Sequence, residues 1–496
     1  MAGILEWRLT VSDGSSQELT PELRWTYRAW TSVVRLIVGL RLRILKFMEK
    51  IWKLAVDDPR RVAHCLKVAT ALTVVSLFYY VRPLYDGVGG TAMWAVMTVV
   101  VVFEYTVGAT LSKGLNRGIA TLLAGALAIG VHELAHRSGD KAEPIILGAS
   151  LFLFASAATF SRFIPTVKTR FDYGVSIFIL TFSLVTVSGY RVNQLVELAH
   201  QRLSTIAIGG ALCMVISMLV CPVWAGNDLH LLIARNMEKL AMSLDGCVEQ
   251  YFNDNGNASD DEEACQELNG YKCVLNSKAA EESLANFARW EPAHGHFGFW
   301  HPWKQYLKIG TALRFCAYCV EALNCSINPD IKAPEFIKKH LCGPCMRLSL
   351  HSSNVLKELS ITTRTMRKSS TIDFSIGEMN GAVEDLQNAL RSLPHQLPPP
   401  PTSSTEEHEV DKNRHNSVPP IVSIMEVMPL ITAASLLIEI AARIESVVDA
   451  VEKLAGLASF KQAVDDKPDK PKRIEAHNKP TLEEQGQEGM KALEVA

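Results

Sequence analysis

Residues 93–118 read MWAVMTVVVVFEYTVGATLSKGLNRG, and their reading decides the class of fold. The stretch opens as an apolar run of the kind that crosses a bilayer, where about 20 apolar residues suffice. Glu104 sits inside the apolar part, and Lys113 and Arg117 follow among closely spaced glycines. An ionisable group in hydrocarbon is costly, so it faces either a partner or a water-filled path. Two expectations stand for Glu104: an ion pair that fixes helix packing, or a place in the lining of a conduit.

Working outward, this stretch is one of six apolar segments, at residues 67–81, 88–108, 118–134, 144–164, 173–190 and 203–224. The first is short for a span and borrows from its flanks. Short connections make neighbouring spans antiparallel. Gly118, Gly125 and Gly130 in the third segment, and Gly209 and Gly210 in the sixth, favour close helix approach. The pattern predicts an all-α membrane protein, with six transmembrane helices followed by a helical cytosolic domain.

The flanks differ in kind. Residues 1–20 are polar and read as mobile. Val33, Ile37, Leu40, Ile44, Phe47 and Ile51 then recur at helical spacing, with Arg28, Arg35, Arg43, Lys46, Lys50 and Lys53 between them. Such a basic amphipathic helix suits an anionic cytosolic leaflet, or packing on the protein's own soluble part. Residues 225–496 show helical patterns at 229–252, 279–290, 303–326, 334–368 and 375–393, with an acidic, Asn-rich break at 253–263. Residues 394–420, around Pro398–Pro401, read as a linker. A long helix at 421–460 carries the stripe Leu437, Ile440, Ile444, Val447, Val451 and Leu454. Its apolar run at 430–438 is short for a span, and residues after Gln462 read as disordered. The expected domains are a tail with the basic helix (1–56), a six-span pore domain (57–226), a cytosolic helical domain (227–393), the linker, the long helix (421–460) and a tail (461–496).

Orientation follows from lysine and arginine. Arg60, Arg61 and Lys67 precede the first span, Lys113 and Arg117 lie in the second connection, and Arg162, Lys168 and Arg170 in the fourth. The alternate connections hold only Arg82, then Arg137 and Lys141, then Arg191 and Arg202. Both termini are therefore placed in the cytosol. The N-terminus lacks signal-peptide features, so the first span is expected to direct insertion.

Net charge is −2, which argues against nucleic acid as the main partner. The 11 scattered cysteines suit reduced thiols. The sequence shows no Walker loop, dinucleotide fingerprint or Ser-His-Asp set, so neither an enzyme, a cofactor nor an energy-coupled pump is expected. His132, Glu133 and His136 match HExxH, which raises an intramembrane zinc metalloprotease as an alternative. That reading lacks a third ligand, and a helix end facing headgroups accounts for the same residues. Cys316/Cys319 and Cys342/Cys345 form two CxxC units. The first lies in a helical pattern and the second, CGPC, reads as a turn; structural thiols are favoured over zinc or redox chemistry. Asn257 and Asn324 head glycosylation sequons in the part placed in the cytosol.

Cationic groups in a low-dielectric pore attract anions, and a guanidinium holds a carboxylate bidentately. The positive-inside rule alone accounts for most of the basic residues, Lys113 above all. Arg202 is less easily explained that way, because it lies on the expected outer side. Arg117 sits against an apolar helix start, and Lys67 and Lys168 are further candidates for holding an anion.

Several stretches resemble the plant aluminium-activated malate transporter family: Asp58-Pro59-Arg60-Arg61, residues 93–104, residues 108–118, Phe171-Asp172-Tyr173-Gly174, residues 221–226 (CPVWAG), and Trp290-Glu291-Pro292. The resemblance covers residues 57 to about 460. It implies a homodimeric, passive anion channel with six spans per subunit, carrying malate and, variously, chloride, nitrate, sulfate or other carboxylates. It places the pore arginines at Arg117 and Arg202, and an apolar constriction at Trp94 and Met97. Asp86 and Glu197 match two acids of an outer cation site, while Asn193 stands where some aluminium-responsive members carry a carboxylate. Weak or absent aluminium activation is therefore expected, with control by voltage or cytosolic malate and a place in the plasma membrane rather than the vacuolar one. An exporter of aromatic or other organic acids on a comparable plan is the remaining alternative. Residues 402–405 are a Ser/Thr cluster open to phosphorylation.

Overall fold

Inside a bilayer a helix satisfies its backbone polar groups within its own segment, which is why apolar chains of this kind are built from helices. The computed structural model describes residues 8–10, 16–18, 25–81, 92–139, 141–189, 195–252, 268–327, 333–396 and 424–462. In chain order its helices begin with α1 (Trp25–Asp57), α2 (Pro59–Tyr80), α3 (Ala92–Val102), α4 (Val107–Arg137) and α5 (Glu143–Ser161). Next come α6 (Pro165–Arg170), α7 (Asp172–Gly189), α8 (Leu195–Leu219), α9 (Ala225–Phe252) and α10 (Gly270–Asn276). The last five are α11 (Lys278–Ala288), α12 (Trp303–Ile327), α13 (Glu335–Thr365), α14 (Ile372–Gln396) and α15 (Ile424–Leu457). Strand pairing is confined, among the described residues, to an antiparallel hairpin of β1 (Arg8–Thr10) with β2 (Ser16–Glu18) and a parallel contact of β3 (Arg367–Lys368) with β4 (Lys461–Gln462). The hairpin lies within the stretch expected to be mobile.

Contacts divide the chain into two compact units, Met1–Leu232 with Lys278–Leu307, and Ile233–Ser277 with Lys308–Ala496. In the first, α4 packs against α5, α7 and α8. Ala71 and Val75 of α2, Val99 and Val102 of α3, and Cys213 of α8 share one apolar core. Ala124 and Ala128 of α4 meet Phe182 and Val185 of α7 in another. Close approach of helices occurs at Gly209, where an added Cβ would lie 3.0 Å from the Ala95 carbonyl oxygen. Gly118, Gly125, Gly130 and Gly210 face open space instead. The apolar stripe expected on α1 forms, but its residues stay exposed, from Val33 and Ile37 to Phe47 and Ile51.

In the second unit α13 packs on both α14 and α15. By length and composition, four helices among the described residues qualify to cross a membrane: α4, α5, Arg202–Leu219 of α8, and Glu426–Leu457 of α15. Met93–Val102 and Asp172–Ser188 are apolar but shorter. The α15 window is longer than the run at 430–438 suggested. Its apolar stripe is nevertheless spent inside its own unit, where Leu437, Ile440, Ile444, Val447, Val451 and Leu454 are buried. Burial of that face against protein is what an amphipathic core helix does.

The CGPC segment is not a turn. It lies within α13, which carries Pro344 in its interior. The residues 108–118 are likewise helical rather than a connection. α4 starts at Val107, where the Thr106 hydroxyl caps it by accepting from the Ala109 N–H at 3.3 Å. Gly114 is a packing position there: a Cβ on it would meet Cε of Met214 at 2.9 Å.

Candidate functional site

Because α4 begins at Val107, Lys113 and Arg117 stand on its first turns, inside the apolar unit. Lys113 pairs with Glu104, which supports the ion-pair reading of that carboxylate. The same ammonium lies 5.7 Å from the ring centre of Tyr173, at the start of α7. The Tyr173 hydroxyl accepts from Nη1 of Arg117 at 3.2 Å. Arg117 is only 7% exposed, and its Nε has no hydrogen-bond partner. Arg202, on α8, feels the Arg117 charge. Its guanidinium lies 4.0 Å over the Trp94 ring of α3, a cation–π contact. Neither arginine has a carboxylate partner among the described residues. Two like charges within each other's field in a poorly hydrated site attract an anion.

The other predicted residues divide. Met97 shares the Trp94 face of α3, three residues on, and is 56% exposed. Lys67 is 2% exposed and donates to the Cys221 carbonyl at 2.7 Å. It satisfies a carbonyl just past the end of α8, where the backbone turns left-handed with φ 39° at Cys221. Lys168 is exposed on α6, beside Asp172, which Arg162 holds through two bonds of 2.7 and 3.0 Å. Lys67 is thus engaged with the Cys221 carbonyl, and Lys168 lies within the field of Asp172. Asp86, Asn193 and the side chain of Glu197 lie outside the described residues.

A second cluster had no assigned role in the sequence. Glu291 is buried and accepts from the backbone N–H of Ala225 at 2.6 Å and of Gly226 at 3.0 Å, at the start of α9. Gly108, at the start of α4, also donates to it. One carboxylate thereby caps two helix N-termini, the place where orphan donors and the helix dipole favour an anion. Burial raises the Glu291 pKa and the three N–H groups oppose that shift. Trp224 stacks on His294 at 3.8 Å, and Val107 N–H donates to the Val223 carbonyl at 2.9 Å. The scattered stretches 108–118, 221–226 and 290–292 therefore meet at one point. A tripeptide with an acid between a tryptophan and a proline was the available signal; that it caps remote helices has no periodic signature.

Beside this cluster, the Tyr306 hydroxyl lies 3.0 Å from Nδ1 of His230 and 3.1 Å from Nε2 of His301. Burial, then the charge of His230, lowers the His301 pKa from 6.5 to about 4. The unfolded chain then binds the extra proton between those values, so stability falls as pH drops from 6.5 towards 4. The loss is about 1–2 kcal/mol after allowing for partial solvent screening. Melting of the detergent-solubilised protein across this window should show that slope, and His301→Gln should flatten it.

Glu133 of the HExxH match is held by Arg137 at 2.8 Å, and among the described residues no group of three His, Cys, Asp or Glu is placed to hold a metal. Cys316 and Cys345 are buried, and burial pushes the Cys345 thiol up to about 12 and that of Cys316 higher still. Metal or redox chemistry needs the thiolate, which these environments disfavour. Asn324 sits in α12 with its amide on the Tyr271 hydroxyl at 3.4 Å, and Asn257 lies outside the described residues.

Apolar helices carrying this cationic pair define an all-α membrane protein. The family described as "Aluminium activated malate transporter" matches residues 52–418 and 394–455. Aluminum-activated malate transporter 10 of Arabidopsis thaliana is 52% identical over 93% of this chain and 95% of its own length. Aluminum-activated malate transporter 2 of the same plant is 47% identical over 82% of this chain and 76% of its own. Aluminum-activated malate transporter 1 of Triticum aestivum is 44% identical, covering 87% and 90%. The chain belongs to the aluminium-activated malate transporter family.

Proposed function

We propose that this chain is a passive anion channel that conducts malate and inorganic anions such as chloride, nitrate and sulfate. The observation that carries the reading is that Arg117 and Arg202, from separate helices, lie within each other's electrostatic field and have no carboxylate partner among the described residues. The names of the relatives supply malate as the expected cargo. α2, α3, α4, α5, α7 and α8 serve as six spans with both termini cytosolic. A two-fold homodimer doubles the arginine pair, and several moderate sites favour passage over trapping. Trp94 and Met97 narrow the path, and the basic α1 lies on anionic lipid. A dianion leaving a negative interior gains about 4.6 kcal/mol per 100 mV, so no coupled energy source is required.

Residence is assigned to the plasma membrane, with voltage or cytosolic malate as the controller. Asn193 removes an anionic ligand from the outer acids Asp86 and Glu197, so aluminium activation is weak; a several-fold rise in current on micromolar aluminium would contradict this. The transport reading is tested with purified protein in liposomes. Malate flux should follow an imposed potassium diffusion potential and reverse with its sign. Flux that instead requires ATP or a proton gradient would overturn a passive channel.

A further inference from the structure

The first unit contains a cleft of about 260 Å³ lined in part by Ser112, Thr169, Arg170, Asn286 and Arg289, and otherwise by aromatic rings. Ser112 comes from α4, Thr169 and Arg170 from α6, and Asn286 and Arg289 from α11 and the turn after it. Two guanidiniums share this small space: both are exposed to solvent at its edge, and Arg289 lies within the field of Arg170. Neither has a carboxylate partner among the described residues. Arginine stays charged at every working pH, so the two repel unless an anion stands between them. The remaining lining adds the Ser112 hydroxyl and the Asn286 amide as donors beside the rings of Phe171, Phe287 and Trp290, while the Thr169 hydroxyl donates to the Thr166 carbonyl at 3.2 Å.

The surroundings are interfacial. Phe163, beside the start of α6, is 78% exposed, and Ile164 and Phe171 are exposed with it. Aromatic and aliphatic side chains next to arginines match the boundary between acyl chains and headgroups. The cleft is also tied to the pore helix: Asn116, next to Arg117, donates from Nδ2 to the Arg170 carbonyl at 3.3 Å.

We propose that Arg170 and Arg289 form a binding site for a phosphate group at the cytosolic membrane surface, separate from the conducting arginines. The placement rests on the orientation proposed above, not on the conduction reading. A headgroup phosphomonoester and a soluble phosphate share this chemistry, and the experiment separates them.

Full-length protein would be purified in detergent and mixed with phosphatidylcholine containing phosphatidic acid, and retained lipid counted by native mass spectrometry. Inorganic phosphate at millimolar concentration would be added in a parallel series. Wild type should retain phosphatidic acid, and Arg170→Gln/Arg289→Gln should retain it at least tenfold more weakly. Arg289→Lys, which keeps charge but loses the fork, should fall between. If inorganic phosphate displaces the lipid, or binds alone with the same dependence on both arginines, the site takes soluble phosphate. Both charge-neutral substitutions are at exposed side chains, and an unshifted melting temperature would show the fold intact. Equal phosphatidic acid and phosphate binding by wild type and a folded double variant would overturn the proposal, as would failure of wild type to bind either. Malate flux measured on the same variants keeps the two readings apart, because loss of the phosphate site leaves the pore arginines in place.

Discussion

Arg117→Ala is expected to cut anion current at least tenfold while leaving the protein at the cell surface. The guanidinium is buried, and only one of its bonds, to Tyr173, is satisfied. Most of its charge is therefore available to a passing carboxylate, and a tenfold change corresponds to about 1.4 kcal/mol of lost stabilisation. Arg202→Ala should act in the same direction. It also removes the cation held over Trp94, so the constriction changes with the charge. Arg117→Lys keeps a charge but loses the bidentate fork and should give intermediate current with altered preference between malate and chloride. Tyr173→Phe removes one hydrogen bond and should have a much smaller effect. Single substitutions at both arginines that leave conductance and selectivity unchanged would discard this site.

The second large effect is structural and falls at the Glu291 cap. Gly108→Ala is expected to destabilise the protein by about 3 kcal/mol, the upper part of the range for overpacking. A Cβ there would sit 2.8 Å from the carbonyl carbon of Phe287 and 2.9 Å from Cγ of Glu291. The first of these is backbone and has no rotamer into which to retreat. Glu291→Ala should cost a similar amount, because the Ala225 and Gly226 donors lose their acceptor, at about 1–3 kcal/mol for a buried polar group. Glu291→Gln keeps the volume but turns an acceptor into a donor facing those N–H groups, so it should resemble the alanine change. Gly226→Ala should be milder than Gly108→Ala, since the ring edge of Trp303 at 2.9 Å belongs to a side chain. Melting of the solubilised protein, with limited proteolysis as a second readout, checks all four. Unchanged melting for Gly108→Ala and Glu291→Ala would show that this carboxylate is not a cap that the fold depends on.

The apolar segments, the basic amphipathic helix and the helices of the C-terminal part were legible because burial repeats with the helical period. Their limits were less so. The gap between apolar segments at 108 and 118 reads as a connection, yet Gly108 and Gly114 are sites where another segment comes close within a continuous helix. Pro344 misled in the same way inside α13. Arg117 and Arg202 were found as charges beside apolar runs, but residues so far apart in the chain carry no local sign of lying within each other's field. Lys67 was the same kind of signal and is directed to the Cys221 carbonyl instead. Glu291 drew notice only as part of a short motif. Its work depends on three backbone N–H groups from distant helix starts, and backbone donors leave no trace in side-chain identity.

The measurement that tests the central claim most directly is the reversal potential of whole-cell current with malate inside and chloride outside, in wild type and in Arg202→Glu. Wild-type current should reverse near the potential set by the anion gradients and be indifferent to the cation present. Reversing the charge at Arg202 should shift the reversal potential towards that of the cations, at unchanged surface expression. Anion-selective current whose reversal potential is identical in both would show that anions pass elsewhere and would contradict the account.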